Sequence, residues 1–176
     1  MFGFLTTLSP RQFLFQVLNF LMVAASALAA WKASSLVFNT ESPIVVVLSE
    51  SMTPAFERGD LLFLAMTNEP LKVGDITVYK LKGQDIPIVH RILEIHENTE
   101  TGKISILTKG DYNNLDDRAL YNRGQLWIHP EDIMGRVYGH IPYLGMFTII
   151  LNDYPQAKQI LLLFLGITAL LNKEEQ

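Results

Sequence analysis

Hydrophobic positions follow three rhythms along this chain. From Phe13 to Ala30 the run FLFQVLNFLMVAASALAA is 18 residues without a charge, and only Gln16, Asn19 and Ser26 are polar. Wound as a helix it is about 27 Å long, close to the hydrocarbon thickness of a bilayer. Trp31 and Lys32 follow it, an aromatic and a cation suited to the membrane interface. The pattern predicts one transmembrane signal-anchor helix over 13–31, preceded by a cytosolic N-terminus over 1–12. Near the other end, Ile160 to Leu171 (ILLLFLGITALL) is a second apolar run, 12 residues long. That is too short to cross a normal bilayer. It predicts a C-terminal apolar helix over 158–172 that does not span. Three settings compete for it: a core helix, a helix packed on a partner, and a helix dipping into the membrane. Length alone makes the core helix the default. Apolar residues on every face exclude a solvent-exposed amphipathic helix.

Between these runs the rhythm shortens to that of strands. Ile44–Leu48 is a continuous β-branched stretch suited to a buried strand. Asp60–Leu64 follows the turn signal Arg58-Gly59, and Asp75–Tyr79 alternates after Gly74. Ile86–Ile95 holds Pro87 near its start, so it begins at an edge or outside the hydrogen-bonded ladder. Ile104 and Ile106 alternate with Lys103 and Ser105. Short strands punctuated by glycine predict an antiparallel barrel or sandwich. The fold class is therefore a mainly β domain over 40–150, antiparallel and barrel-like, with one N-terminal membrane helix and a short C-terminal apolar helix.

Composition sharpens this division. The 176 residues carry 18% charged side chains, below the usual quarter, and a mean hydropathy of +0.21. All 18 acidic residues lie from Glu41 onward, whereas residues 1–40 hold only Arg11 and Lys32 as charges. A net charge of -4 argues against a nucleic-acid binder. The absence of cysteine excludes disulfides, thiolate metal sites and cysteine nucleophiles. Ala27-Leu28-Ala29 would satisfy a signal-peptide cleavage rule, but the apolar run exceeds the usual 7–15 residues of such a segment. An uncleaved anchor is the better description. Arg11 and the amino terminus outweigh Lys32, which places the body on the lumenal or external side.

The chemistry begins where the first strand stops. Ser49-Glu50-Ser51-Met52-Thr53-Pro54 presents hydroxyl side chains at a strand end. Pro54 biases Thr53 toward extended geometry and stiffens the exit. A serine needs a base before it becomes a nucleophile. The candidates are His90, His96, His129, His140 and the lysines. Position parity puts His90 on the face with Ile86, Ile88 and Ile92, and Arg91 on the other. Imidazole is the natural general base at neutral pH. An orienting carboxylate could come from Asp111, Asp116 or Asp117 in the segment Lys109-Gly-Asp-Tyr-Asn-Asn-Leu-Asp-Asp-Arg118. Each feature also has an ordinary structural explanation: a capped strand end, a core histidine and a solvated acidic loop.

Taken together and in order, four blocks resemble the type I signal peptidase family, in the branch of the catalytic subunits of the endoplasmic reticulum. They are Ser49–Pro54, Arg58-Gly59-Asp60 leading into a strand, Val89-His90-Arg91, and Lys109-Gly110-Asp111 with Asp116-Asp117-Arg118. Bacterial relatives carry a lysine where this chain has His90. The resemblance implies Ser51 as nucleophile, His90 as general base and Asp117 as third member. Asp111 and Asp116 are supporting acids, and Ser49 is an oxyanion helper. Arg58-Gly59-Asp60 becomes structural. Tyr112 stands where the family wording of the fourth block has Asn, and Glu50 where bacterial members have Gly.

The same resemblance implies a serine endopeptidase of the endoplasmic-reticulum membrane, with its catalytic domain in the lumen. It would cleave signal peptides from secretory preproteins after small residues, through an acyl-enzyme. Its partners would be the other subunits of a signal peptidase complex and membrane lipid, with no nucleic acid, cofactor or metal. Two other readings are distinguishable: a non-catalytic scaffold subunit, indifferent to Ser51 and His90, and a serine–lysine protease using Lys80, Lys82 or Lys109.

Overall fold

The computed structural model describes residues 10–171. The outer parts of the predicted segments 1–12 and 158–172 therefore lie outside the described residues. Helix α1 runs over Pro10–Val37, longer at both ends than the predicted 13–31. Pro10 suits a first helical position, where its missing N–H leaves no partner waiting. At 28 residues α1 is about 42 Å long and none of its residues is buried. Among the described residues it is the one helix long and apolar enough to cross a membrane. The Ser26 and Ser34 hydroxyls donate to the carbonyls of Val23 and Ala30, both at 2.8 Å, so neither stays open in apolar surroundings. Beyond the helix, buried Thr40 donates to the Met134 carbonyl at 2.7 Å and ties α1 to the body.

The body is a six-stranded sheet of β1 (Ile44–Val46), β2 (Leu61–Ala65), β3 (Ile76–Tyr79), β4 (Ile88–Glu97), β5 (Ile104–Lys109) and β6 (Ile133–Ile141). The spatial order is β1-β2-β6-β3-β4-β5 and every pairing is antiparallel. Pro87 stays outside the ladder, as expected. The sequence reading did not single out β6, which nevertheless sits at the centre of the sheet. Gly135, Arg136, Tyr138 and Gly139 disguise it as a loop. Gly135 has a packing reason: a Cβ there would meet Leu64 Cβ at 3.1 Å.

Three register shifts curl the sheet. Each leaves one residue without a counterpart: Tyr138 opposite Phe63/Leu64, Met134 opposite Val78/Tyr79, and Leu93 where Ile92/Glu94 face β5. Such bulges strengthen the local twist. The one at Leu93 also resets parity. Ile88, His90 and Ile92 face inward before it and Ile95 after it, while Leu93 and Glu94 are exposed. Ile86 was expected on the His90 face, but it lies before the strand and is exposed.

Two apolar clusters fill the interior. One joins Val47, Met52, Phe56, Leu62, Leu64 and Val78. The other gathers around Tyr79, Ile92, Ile106, Leu107 and Ile128. The loop Arg58-Gly59-Asp60 braces the first. Gly59, at φ +99°, donates to the Val47 carbonyl at 2.9 Å. Buried Asp60 accepts the N–H groups of Glu57 at 3.0 Å and Tyr143 at 3.1 Å. This loop is structural.

Helices α2 (Met146–Asp153) and α3 (Pro155–Leu171) follow the sheet. Ile149 of α2 is buried. In the part of the C-terminal run whose side chains are described, Ile160, Leu162, Leu163 and Phe164 are exposed and Leu161 is half-buried, so this part is not the core helix taken as the default.

Candidate active site

Beyond β1 the chain turns back on itself. Thr53 N–H donates to the Glu50 carbonyl at 3.2 Å and Phe56 N–H to the Met52 carbonyl at 3.1 Å. The Thr53–Pro54 peptide is cis. These two hydrogen bonds make the exit a tight turn. Met52 and Phe56 bury their side chains in the first cluster and pin this turn, leaving Ser51 half-buried at its lip.

His90 arrives from β4, with only 2% of its surface exposed. Its Nε2 lies 3.0 Å from Ser51 Oγ. Four strand steps separate β1 from β4, which in a flat sheet would be about 19 Å. The curl of the sheet is what closes that gap. On the other side of the ring, His90 Nδ1 lies 2.5 Å from Asp117 Oδ2, and Asp117 is 1% exposed. A carboxylate at Nδ1 fixes the tautomer. Nδ1 carries the proton, and the Nε2 lone pair faces the serine hydroxyl.

The acids suggested by the sequence have separate places. Asp117 opens the 3-10 turn Asp117–Ala119 and points inward. Asp116 caps that turn by accepting the Arg118 N–H at 3.1 Å. Asp111 accepts Arg91 through both oxygens, at 2.9 and 2.7 Å, and does not bond to His90. These bonds hold the Arg91 guanidinium above its ordinary pKa. Ser49 Oγ is 3.2 Å from Ser51 Oγ. Tyr112 contributes its backbone, donating N–H to the Ser51 carbonyl at 3.0 Å, while its side chain is exposed. A tyrosine in place of the family asparagine therefore leaves this contact intact.

The other candidate bases lie elsewhere. His96 packs edge-on against Trp127, His140 against Phe56, and His129 Nδ1 meets the Ile104 carbonyl. Lys80 and Lys82 line a different cleft. Among the described residues no lysine is hydrogen bonded to Ser51, and no three His, Asp or Glu side chains converge as a metal site would need.

Sequence reasoning missed three residues around Asp117. Tyr79 OH and Thr108 Oγ1 both donate to Oδ2, at 3.0 and 2.6 Å, and Tyr121 OH is 2.9 Å from Thr108 Oγ1. A signal for Thr108 was present: it shares parity with Ile104 and Ile106, and a hydroxyl on a buried face must find a partner. Burial, and then the negative Asp117, push the Tyr79 phenol well above its ordinary pKa. Burial likewise raises Tyr121.

A cleft of about 700 Å³ opens onto Ser51 and His90. Val45–Leu48 form one wall and Ile86–Val89 the other, so its surface is largely apolar. The arrangement can activate a hydroxyl for attack on a carbonyl at the end of an extended, apolar-lined groove.

No family model matches the chain. Individual proteins do. It is 52% identical over 174 residues to the signal peptidase complex catalytic subunit SEC11C of Homo sapiens, covering 98% of this chain and 90% of the relative. The catalytic subunit sec11 of Dictyostelium discoideum is 48% identical over 169 residues, covering 96% and 94%. A putative catalytic subunit SEC11B of Homo sapiens is 48% identical over 161 residues, covering 91% and 96%. At such identity over nearly the full length of both partners, this chain belongs to the family of signal peptidase complex catalytic subunits.

Proposed function

We propose that this chain is a serine endopeptidase that removes signal peptides at the endoplasmic-reticulum membrane, with Ser51 as nucleophile, His90 as general base and Asp117 as its orienting carboxylate. The observation that carries the reading is the continuous relay from Ser51 Oγ through His90 to buried Asp117, at 3.0 and 2.5 Å. Family membership supports the peptidase activity and the complex.

His90 Nε2 takes the hydroxyl proton as Ser51 Oγ attacks the scissile carbonyl. The Ser51 backbone N–H and the Ser49 hydroxyl face the developing oxyanion. Asp117 stabilises the imidazolium, which then gives its proton to the leaving amine. Water repeats the sequence, with His90 again as base, and releases the acyl group from Ser51. The apolar cleft receives the residues before the scissile bond. Its walls favour small side chains by clash with larger ones.

Helix α1 is the anchor, with the sheet on the lumenal side. Tethering raises the local concentration of a substrate that is itself in the membrane. Exposed apolar α3 docks on partner subunits of the complex or enters lipid beside the site, and does not span.

The test is Ser51→Ala and, separately, His90→Ala in the full chain expressed with its complex. Both abolish processing of a reporter preprotein while the chain still assembles. Processing that survives either substitution overturns the assignment. Indifference to both, with processing lost on deletion of 160–171, would assign a scaffold role instead.

A further inference from the structure

We propose that Tyr79, Thr108 and Tyr121 form a hydroxyl cage that holds the Asp117 carboxylate in the plane His90 requires, and so act as positioning residues. The inference rests on the relay proposed above and adds three residues to it.

All three are buried, Tyr79 and Thr108 with no exposed surface and Tyr121 with 7%. Tyr79 and Tyr121 belong to the second apolar cluster, and a buried hydroxyl is unfavourable unless it is paired. The pairing is directional. The Asp117 carboxylate can only accept, so Tyr79 and Thr108 both spend their protons on Oδ2. Thr108 then has no proton left for Tyr121. The 2.9 Å contact between them is Tyr121 donating to Thr108 Oγ1, and Tyr121 in turn accepts the Thr108 backbone N–H at 3.0 Å. A one-way chain results, from Tyr121 to Thr108 to Asp117, with Tyr79 joining at the same oxygen.

Asp117 Oδ1 is buried and makes no hydrogen bond among the described residues. Every hydrogen bond that the carboxylate accepts among the described residues therefore ends on Oδ2, which also meets His90. Remove the hydroxyls and only the histidine is left to orient its own orienting group. The raised phenols keep both tyrosines protonated, as donors, throughout the neutral range. Mere packing would need only the rings and the threonine methyl.

The test separates hydroxyl from shape. In the full chain assembled with its complex, Tyr79→Phe and Thr108→Val are assayed with a synthetic signal peptide. Each lowers kcat about ten-fold, the scale of one hydrogen bond to a charged group, with KM unchanged. Thr108→Ser returns most of the lost rate, and Tyr121→Phe costs less than either. If Thr108→Val does not assemble, Tyr79→Phe decides alone, because it keeps the ring. Wild-type kcat in Tyr79→Phe and Thr108→Val overturns the cage, as does a loss confined to KM or a Thr108→Ser no better than Thr108→Val. Processing retained by Ser51→Ala would fail the relay itself. Inactive Ser51→Ala beside fully active Tyr79→Phe and Thr108→Val fails only the cage.

Discussion

Arg91 clasps Asp111 with two parallel hydrogen bonds, Nε to Oδ1 at 2.9 Å and Nη2 to Oδ2 at 2.7 Å. Arg91 and His90 are neighbours on β4 and point to opposite faces. One strand thus carries His90 inward and, outward, fastens the loop that follows β5. That loop reaches Ser51, since Tyr112 N–H donates to the Ser51 carbonyl at 3.0 Å. Asp111 supports the site from outside the relay.

Loss of the clasp should slow the reaction without removing it. Asp111→Ala and Arg91→Ala are expected to lower kcat/KM about ten-fold or more. Arg91→Lys should not restore it, because an ammonium cannot supply the two-pronged geometry. Steady-state kinetics of the assembled enzyme checks this. Full recovery with Lys would refute the geometric role.

Gly110 lies where the loop, His90 and Ser51 converge. A Cβ there would stand 2.7 Å from the Ser51 carbonyl oxygen and 2.8 Å from His90 Nε2. Gly110→Ala should therefore push the relay apart and reduce processing about a hundred-fold, the cost of an ångström-scale displacement. Cleavage of a reporter preprotein at normal chain level is the readout.

Asp116 and Asp117 are adjacent but should behave very differently. Asp117→Asn would present His90 with a group that no longer enforces its tautomer, and kcat should fall about 10³- to 10⁴-fold. Asp116→Asn keeps a capping side chain on the 3-10 turn and should stay within about ten-fold of wild type. Equal losses in the two variants would contradict the separation of roles.

Alkaline stability should depend on Tyr79. Its folded pKa lies above the ordinary phenol value, chiefly through burial and then through Asp117. The unfolded chain releases that proton near pH 10 while the folded chain keeps it. The stabilisation is present below pH 10 and is lost as pH rises beyond it. Thermal unfolding of the assembled, detergent-solubilised protein should show Tm falling more steeply above pH 10 in wild type than in Tyr79→Phe.

Orientation can be read by glycosylation. Asn98 sits in the exposed turn between β4 and β5, followed by Thr99 and Glu100. Glu100→Thr completes an Asn-x-Thr acceptor there. With the sheet in the lumen, the variant should gain a mass shift removable by an N-glycosidase. An unmodified, correctly inserted chain would place the body on the other side.

The sequence alone determined what depends on local composition and short periodicity. An uncharged run of 18 residues marked the helix long and apolar enough to cross a membrane, and period-two stretches marked most of the strands. Residue types at block positions, read through family resemblance, named Ser51, His90 and Asp117. Parity placed His90 inward beside Ile92 correctly, because no bulge intervenes between them.

Tertiary structure decided the rest. Strand β6 reached the centre of the sheet through pairings with β2 and β3, which no local pattern in a glycine-containing segment announces. The bulge at Leu93 reset parity in mid-strand. Adjacent Asp116 and Asp117 differ only in which way a one-residue step turns them, so composition could not separate a surface cap from a buried partner. The Tyr79–Thr108–Tyr121 cage joins β3, β5 and the segment after the 3-10 turn, residues up to 42 apart. Hydrogen bonds at that separation follow from how the sheet curls, and curl is a property of the whole sheet rather than of any one segment.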